Sequence, residues 1–314
     1  PLDHRLHIKE MGWSTACGGD TDPTAAPAAP AVADTPGRNI VVASNKQWES
    51  REPWRIYADT KSSTGLRNVI EVLVDRDPVT MDLVPMLATS WEQIDDLTWR
   101  FTIRDGVKFH DGSSVTAEDV AHSINETWAE SNAWTTRAFM SSQITAEVAG
   151  DLLVDVKTEE KDPIVPSRMY FQGVWSEAQF TQDRATWNVS PIGTGPYTIV
   201  DDDPLVLNLE INPDWWGDQA ALEFDTVQFV YRPEDAVRLG AVQTGEAHIG
   251  TWVSADSCRA ATDIEGIDCR SAPSVETMFM KMDLRYGTDA GTVMADKRVR
   301  LGMRLAVDFQ TIID

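Results

Sequence analysis

The segment from Leu87 to Trp128, LATSWEQIDDLTWRFTIRDGVKFHDGSSVTAEDVAHSINETW, carries three kinds of local instruction in a fixed order. Leu97, Trp99, Phe101 and Ile103 alternate with Thr98, Arg100, Thr102 and Arg104, the period-two pattern of a strand with one buried face. Asp105-Gly106 supplies a turn, Val107 to His110 reads as a short returning strand, and Asp111-Gly112 makes a second turn. Glycine suits both turns because it accepts positive φ. Thr116 then predicts a helix N-cap, since Asp119 stands three residues on as in a capping box, and Val120, Ile124 and Trp128 fall on one helical face. Strand, hairpin and capped helix in that succession are the plan of a small α+β unit.

Other blocks flank this one. Pro85-Met86-Leu87-Ala88 precedes Trp91, and Pro191-Ile192-Gly193-Thr194-Gly195-Pro196-Tyr197 marks a boundary by its Gly and Pro density. Asn212-Pro213-Asp214-Trp215-Trp216-Gly217 follows, then a helical pattern from Arg238 ending in Gly245-Glu246, then Asp296 to Asp314 beginning D-x-RVR. Taken in order, these blocks resemble those of the large extracellular solute-binding proteins of ABC importers, the peptide/nickel/opine-type family that also serves some oligosaccharides. The first is similar to that family's P-x-LA-x-x-W lead-in and the second to its P-x-GTGPY crossover. In the third, Trp215 stands where the family usually has Tyr or Phe.

The resemblance covers most of residues 40 to 314. It implies an α/β, periplasmic-binding-protein-like fold: mixed sheets in lobes around an interdomain cleft, with an inserted small α+β domain. Accordingly, 1–38 reads as tail and linker, 39–87 as the first part of a large domain, 88–187 as the inserted domain, 188–275 as the second part of the large domain, and 276–314 as the start of a further lobe. Within this plan Asn39 to Ala43 is β-rich, Asn68 to Val74 has an amphipathic pattern that predicts a helix, and Ile144–Val148 with Leu152–Val156 predict a strand pair. Further strands are expected at Tyr197–Val200, Leu205–Ile211 and Val227–Tyr231, and a helix after Pro233 that ends at Gly245. The helix capped by Asp296 runs toward Asp314 with no stop signal, so the sequence reads as an N-terminal fragment.

With 50 acidic and 27 basic residues the chain carries −23, which disfavours nucleic acid and anionic membrane as partners by repulsion. No apolar run reaches the length of a membrane-spanning helix. Ser14-Thr15-Ala16-Cys17-Gly18-Gly19-Asp20 resembles the end of a bacterial lipoprotein signal, but it has Ser14 where a Leu-like residue is usual and no apolar core upstream. Cys17 is therefore either a lipidation site in a damaged or misread signal or a chance cysteine in a tail. Residues 21–38, rich in Ala, Pro and Thr, read as a tether. Cys258 and Cys269 remain as an even pair, either a disulfide in an oxidising compartment or two buried thiols.

Searches for chemistry return little. The chain has no G-x-S-x-G elbow, H-E-x-x-H, C-x-x-C or P-loop, and Thr198 breaks the dinucleotide-like start at Gly193-Thr194-Gly195. Asp201-Asp202-Asp203 reads as a solvated turn rather than a calcium loop. His110 sits inside the signature segment, where the resemblance implies a folding role. No catalytic residue, metal or cofactor is expected.

Tryptophan is the remaining peculiarity, with 12 in the chain. Trp91, Trp99, Trp128 and Trp215 fall on core-patterned elements, whereas Trp48, Trp134 and Trp252 lie in loops. The resemblance puts the loops Ser44–Trp48, Asn132–Arg137 and the one after Ile249 beside the cleft, so Trp48, Trp134, Arg137 and Trp252 become the candidate ligand residues. Arg137 offers a fork that pairs with a carboxylate. The implied function is capture of a peptide or other small solute by domain closure and delivery to ABC permease subunits. The protein would act as a monomer in a periplasmic or other extracytoplasmic location, lipid-anchored if Cys17 is modified. A secreted hydrolase and a ligand-sensing domain on a similar scaffold are the competing classes.

Overall fold

The computed structural model describes residues 38–48, 51–53, 64–129, 143–201, 203–262, 264–270 and 293–308. The chain divides into two compact units, Pro1–Ala272 and Pro273–Asp314. Eleven strands are described: β1 (Asn39–Ser44), β2 (Val74–Arg76), β3 (Leu83–Pro85), β4 (Ala88–Asp95), β5 (Thr98–Ile103), β6 (Ile144–Gly150), β7 (Leu153–Thr158), β8 (Tyr197–Ile199), β9 (Val206–Ile211), β10 (Thr226–Tyr231) and β11 (Ile249–Gly250).

β1 reads NIVVAS, an almost unbroken apolar run, and it lies inside a mixed five-stranded sheet of order β11-β1-β10-β9-β8. Both neighbours of β1 run parallel to it, so its two faces are covered, as parallel sheets require. Ile40 and Val42 point into one core with Leu66, Leu207 and Phe229. Val41 and Ala43 point into another with Ala241 of the helix Asp235–Gln243. That helix stops before Gly245, whose φ of 76° suits glycine.

The second sheet is antiparallel, in the order β4-β5-β7-β6. Trp99 faces Val156 and Phe101 faces Val154 across its centre, and Phe101, Val154 and Val156 are fully buried. The alternate residues form the outer face, where Arg100 grips Asp155 through two hydrogen bonds of 2.7 Å. The helix Ala117–Trp128 covers the core face with Val120 and Ile124. Its capping box is complete: Thr116 Oγ1 accepts from Asp119 N at 3.2 Å, and Asp119 Oδ2 accepts from Thr116 N at 3.0 Å. Trp91, Trp99 and Trp128 lie partly buried against this core, and Trp215 against that of the five-stranded sheet.

Two expectations fail here. Val107 to His110 does not return along β5; its place is taken by β4, which pairs antiparallel with β5 through the turn at Asp96–Leu97. Gly106, at φ 76°, leads the chain out of the sheet, and the following hairpin is closed by a single bridge between Lys108 and Ser114. Val107 and Phe109 drop from it into the core. Likewise, Asn68 to Val74 is no helix. Only Thr64–Leu66 is helical, and the chain then turns, bridges Gly173 at Val72 and enters β2. The reason is burial: Val69 and Ile70 belong to the core of the five-stranded sheet, Leu73 and Val74 to that of the four-stranded one. An extended segment can serve two cores on successive residues, which one amphipathic helical face cannot.

In the second unit, the described part is a helix, Lys297–Ala306, whose N-cap Asp296 accepts from Arg298 N at 2.8 Å. Among the described residues no helix is long and apolar enough to cross a membrane.

Candidate ligand-binding edge

β1, β10 and β11 are mutually parallel in direction, so their carboxyl ends share one edge of the sheet. In open α/β sheets, ligands bind outside that edge, because the loops leaving it diverge and open a crevice. Ser44 and Tyr231 end in register, as do Ala43 and Gly250. The loops beyond them are tied back by Arg232 N to Ser44 O at 2.7 Å and by Thr251 N to Ala43 O at 3.0 Å.

Arg238 fixes the relation between two of these loops. Its side chain is 3 % exposed, and its guanidinium donates to the carbonyls of Arg232 (2.8 Å), Pro233 (2.6 Å) and Trp252 (2.7 Å). Burial pulls its pKa below the usual guanidinium value, and Asp235 and Glu234 oppose that shift. Asp235 in turn accepts from Ser254 N at 3.2 Å and from Ser254 Oγ at 2.6 Å, which holds the start of the helix Ala255–Ala261. Trp252, between these anchors, takes φ 60°, a left-handed conformation that a bulky residue adopts only when its surroundings enforce it. In the loop after β1, Asn45 Oδ1 is buried with no hydrogen-bond partner among the described residues.

Behind Trp252 lies a cavity of about 110 Å³ lined by Val242, His248, Thr251, Ser257 and both cysteines. That is smaller than the roughly 300 Å³ at which pockets begin to hold drug-sized ligands. Cys258 and Cys269 are bonded to each other, with Cα atoms 5.6 Å apart, and tie the helix Ala255–Ala261 to the irregular segment 267–270.

Of the residues expected to meet ligand, Trp252 stands on this edge. Trp48 does not: it is 1 % exposed, its ring lies 5.8 Å from that of Phe229, and it packs in the core of the five-stranded sheet. The loop after β1 turns it inward, with Trp48 N donating to Pro204 O at 2.7 Å. Trp134, Arg137 and Cys17 lie outside the described residues.

Sequence reasoning missed two residues that shape this part of the molecule. Arg51, fully buried, donates to the main-chain carbonyls of Val189, Asp203 and Val206 and makes a 3.6 Å ion pair with Asp201; nothing in its flanking sequence signals this. Glu71 is the lone acid in the run NVIEVLV, and that isolation was the available signal. Its carboxylate accepts from Trp215 Nε1 (3.0 Å), Trp216 Nε1 (2.7 Å) and Thr194 Oγ1 (2.7 Å). Thr194 is presented by the crossover, where Gly193 and Gly195 press on the carbonyls of Val69 and Asn68; a Cβ at either would collide with them. His110 pins the same crossover from the other side. Its Nδ1 accepts from Gly193 N at 3.3 Å and its Nε2 lies 3.0 Å from Gly195 O, the pattern of a neutral ring protonated at Nε2. Burial lowers its pKa, as that tautomer requires.

Comparison with known proteins agrees with this architecture. Residues 82–314 match the profile of the bacterial extracellular solute-binding proteins, family 5 Middle. The probable di/tripeptide-binding protein 5 of Pseudomonas aeruginosa (strain UCBPP-PA14) is 25 % identical over 262 residues, covering 75 % of this chain and 48 % of that protein. Among solved structures, the dipeptide-binding protein of Pseudoalteromonas sp. SM9913 in complex with Met-Leu superposes with a TM-score of 0.65 at 18 % identity, over 73 % of this chain and 50 % of that one. NikZ from Campylobacter jejuni in complex with Ni(L-His) gives 0.61 at 20 % identity, over 68 % and 43 % of the two chains. The fold is that of the periplasmic binding proteins, and the chain spans about half the length of the curated relatives it matches. These relatives bind solutes rather than transform them, and by the match over residues 82–314 the chain belongs to the bacterial extracellular solute-binding proteins of family 5.

Proposed function

We propose that the protein carrying this chain captures a small solute of the peptide or metal-complex class between lobes that close on it, and delivers it to the membrane permease of an ABC importer. The observation that carries the reading is the family match over residues 82–314. Relatives named for di- and tripeptides, and neighbours solved with Met-Leu and with a nickel–histidine complex, support the ligand class. The edge formed by β1, β10 and β11, with Trp252 on it, supplies one wall of the cleft; Trp134 and Arg137 supply the ligand contacts of the opposite wall. An extracytoplasmic location follows from the same kinship, and the Cys258–Cys269 bond fits an oxidising compartment. Cys17 anchors the protein to lipid in this reading, and the −23 charge keeps nucleic acid away.

The test is calorimetric titration of the full-length gene product with the dipeptide Met-Leu and with nickel–histidine. Trp134→Ala and Arg137→Ala should each weaken binding of the active probe by about 2 kcal/mol, roughly thirtyfold, with little change in folding stability. Unaltered binding in both variants would remove these residues from the site.

A further inference from the structure

Glu71 lies where the two sheets meet and is 2 % exposed. Two segments converge on its carboxyl: the crossover through Thr194, and the loop 212–217 through the indoles of Trp215 and Trp216. Its own carbonyl accepts from Val174 N at 3.0 Å, which adds the segment beside the bridge Val72–Gly173. One side chain thus links the chain passing between the two cores, the crossover that returns from one sheet to the other, and the loop packed over both.

No cation among the described residues neutralises it. Among the described residues no ion pair involves Glu71, and the charge acting on it through space is another carboxylate, Asp75 of β2, itself paired with Arg67. Arg104 stacks over the ring of Trp216, its guanidinium carbon 4.4 Å from the centroid. The tryptophan loop carries Asp214. His110, beyond the crossover, is bound as a neutral ring through Gly193 and Gly195. Burial pushes the Glu71 carboxyl up to about 7; hydrogen bonds from Trp216, Thr194 and Trp215 pull the other way, and Asp75 adds to the rise.

The two protonation states differ in what the site must bear. Ionised, the carboxylate accepts three hydrogen bonds but leaves a buried charge without a counter-ion. Protonated, its O–H can donate to Thr194 Oγ1 while both indole N–H groups keep their acceptors, because a threonine hydroxyl serves either way and an indole only donates. The neutral knot keeps both indole hydrogen bonds and buries no charge, with only the Thr194 hydroxyl turned round, whereas the charged one is under pressure to admit water.

We propose that Glu71 is a protonation switch at the joint between the two sheets, holding the crossover and the tryptophan loop together when it carries its proton and loosening them when the proton leaves. This goes beyond solute capture and does not depend on which solute is bound. The folded-state pKa lies above the ordinary carboxyl value of 4.5, so the stabilisation is fully present below about pH 4.5 and is lost as the pH rises through about 7.

The experiment follows the indole N–H resonances of Trp215 and Trp216 by NMR in the whole chain between about pH 5.5 and pH 8.5, assigned by replacing each tryptophan with Phe. Both should titrate together with a midpoint near 7, and the urea midpoint of unfolding should fall over the same interval. Glu71→Gln should abolish the shared titration and flatten that fall. Thr194→Val removes a hydrogen bond that is stronger to the carboxylate than to the neutral acid, and should move the midpoint upward. Indole resonances that stay fixed across the range, or that titrate unchanged in Glu71→Gln, would overturn the proposal. Should Glu71→Gln fail to fold, an unchanged midpoint in Thr194→Val would overturn it equally.

Discussion

Trp48→Ala should destabilise the protein by about 3 to 5 kcal/mol, the cost of truncating a large buried aromatic. The ring is 1 % exposed and sits in the core with Leu66, Val69, Leu207 and Phe229. The packing is close enough that a Cβ on Gly65 would meet both Leu207 and the Trp48 ring at 2.6 Å. Alanine would leave a cavity there that rigid strands on either side cannot fill, because β1 and β10 are held in register from Asn39–Thr226 to Ser44–Tyr231. Trp48→Phe separates volume from polarity. The indole N–H of Trp48 is buried with no partner among the described residues, so phenylalanine sheds an unsatisfied donor while keeping most of the volume, and should cost less than about 2 kcal/mol. Urea unfolding of both variants checks this. A wild-type melting midpoint in Trp48→Ala, with solute binding impaired, would return Trp48 to the cleft.

Arg51→Met should cost a comparable amount, about 3 to 5 kcal/mol, as removal of one buried charged partner does. The guanidinium donates to the carbonyls of Val189 (3.3 Å), Asp203 (2.7 Å) and Val206 (2.9 Å), and also to that of Asp201. These carbonyls belong to the end of the helix Arg184–Val189, to the loop between β8 and β9, and to the first residue of β9. Methionine keeps the apolar stem but leaves the carbonyls without donors in a site that excludes water. Lysine should recover only part of the loss, since an ammonium cannot copy a planar fork with five N–H groups. Denaturant melts of Arg51→Met and Arg51→Lys decide this; equal stability of Met, Lys and wild type would show that backbone packing alone holds the loop.

Where one local rule governs an element, the sequence was enough to read it. The alternation around Phe101, the capping box of Thr116 and Asp119, the turns at Gly106 and Gly112, and the helix ended by Gly245 all follow from residues within a few positions of one another. β4 defeats that reading because ATSWEQID is exposed at nearly every position and owes its pairing to β5 alone. Val69 to Val74 defeats it for the opposite reason, being buried on every side between two cores. The candidate site was less legible still. Trp48 looks like a loop tryptophan until Gly65, Leu207 and Phe229 are brought to it from distant parts of the chain. Arg51 and Arg238 work through backbone carbonyls, which no side-chain pattern announces.

The central claim, that the protein holds a solute without transforming it, is tested most directly by native mass spectrometry of the full-length gene product. It should be incubated with Met-Leu and with nickel–histidine, with the small molecules recovered and analysed after release. The account predicts a complex of one solute per protein chain with at least one of these probes, and recovery of that solute chemically intact. Hydrolysed dipeptide in the released fraction, or no complex with either probe under conditions where the protein is folded, would contradict it.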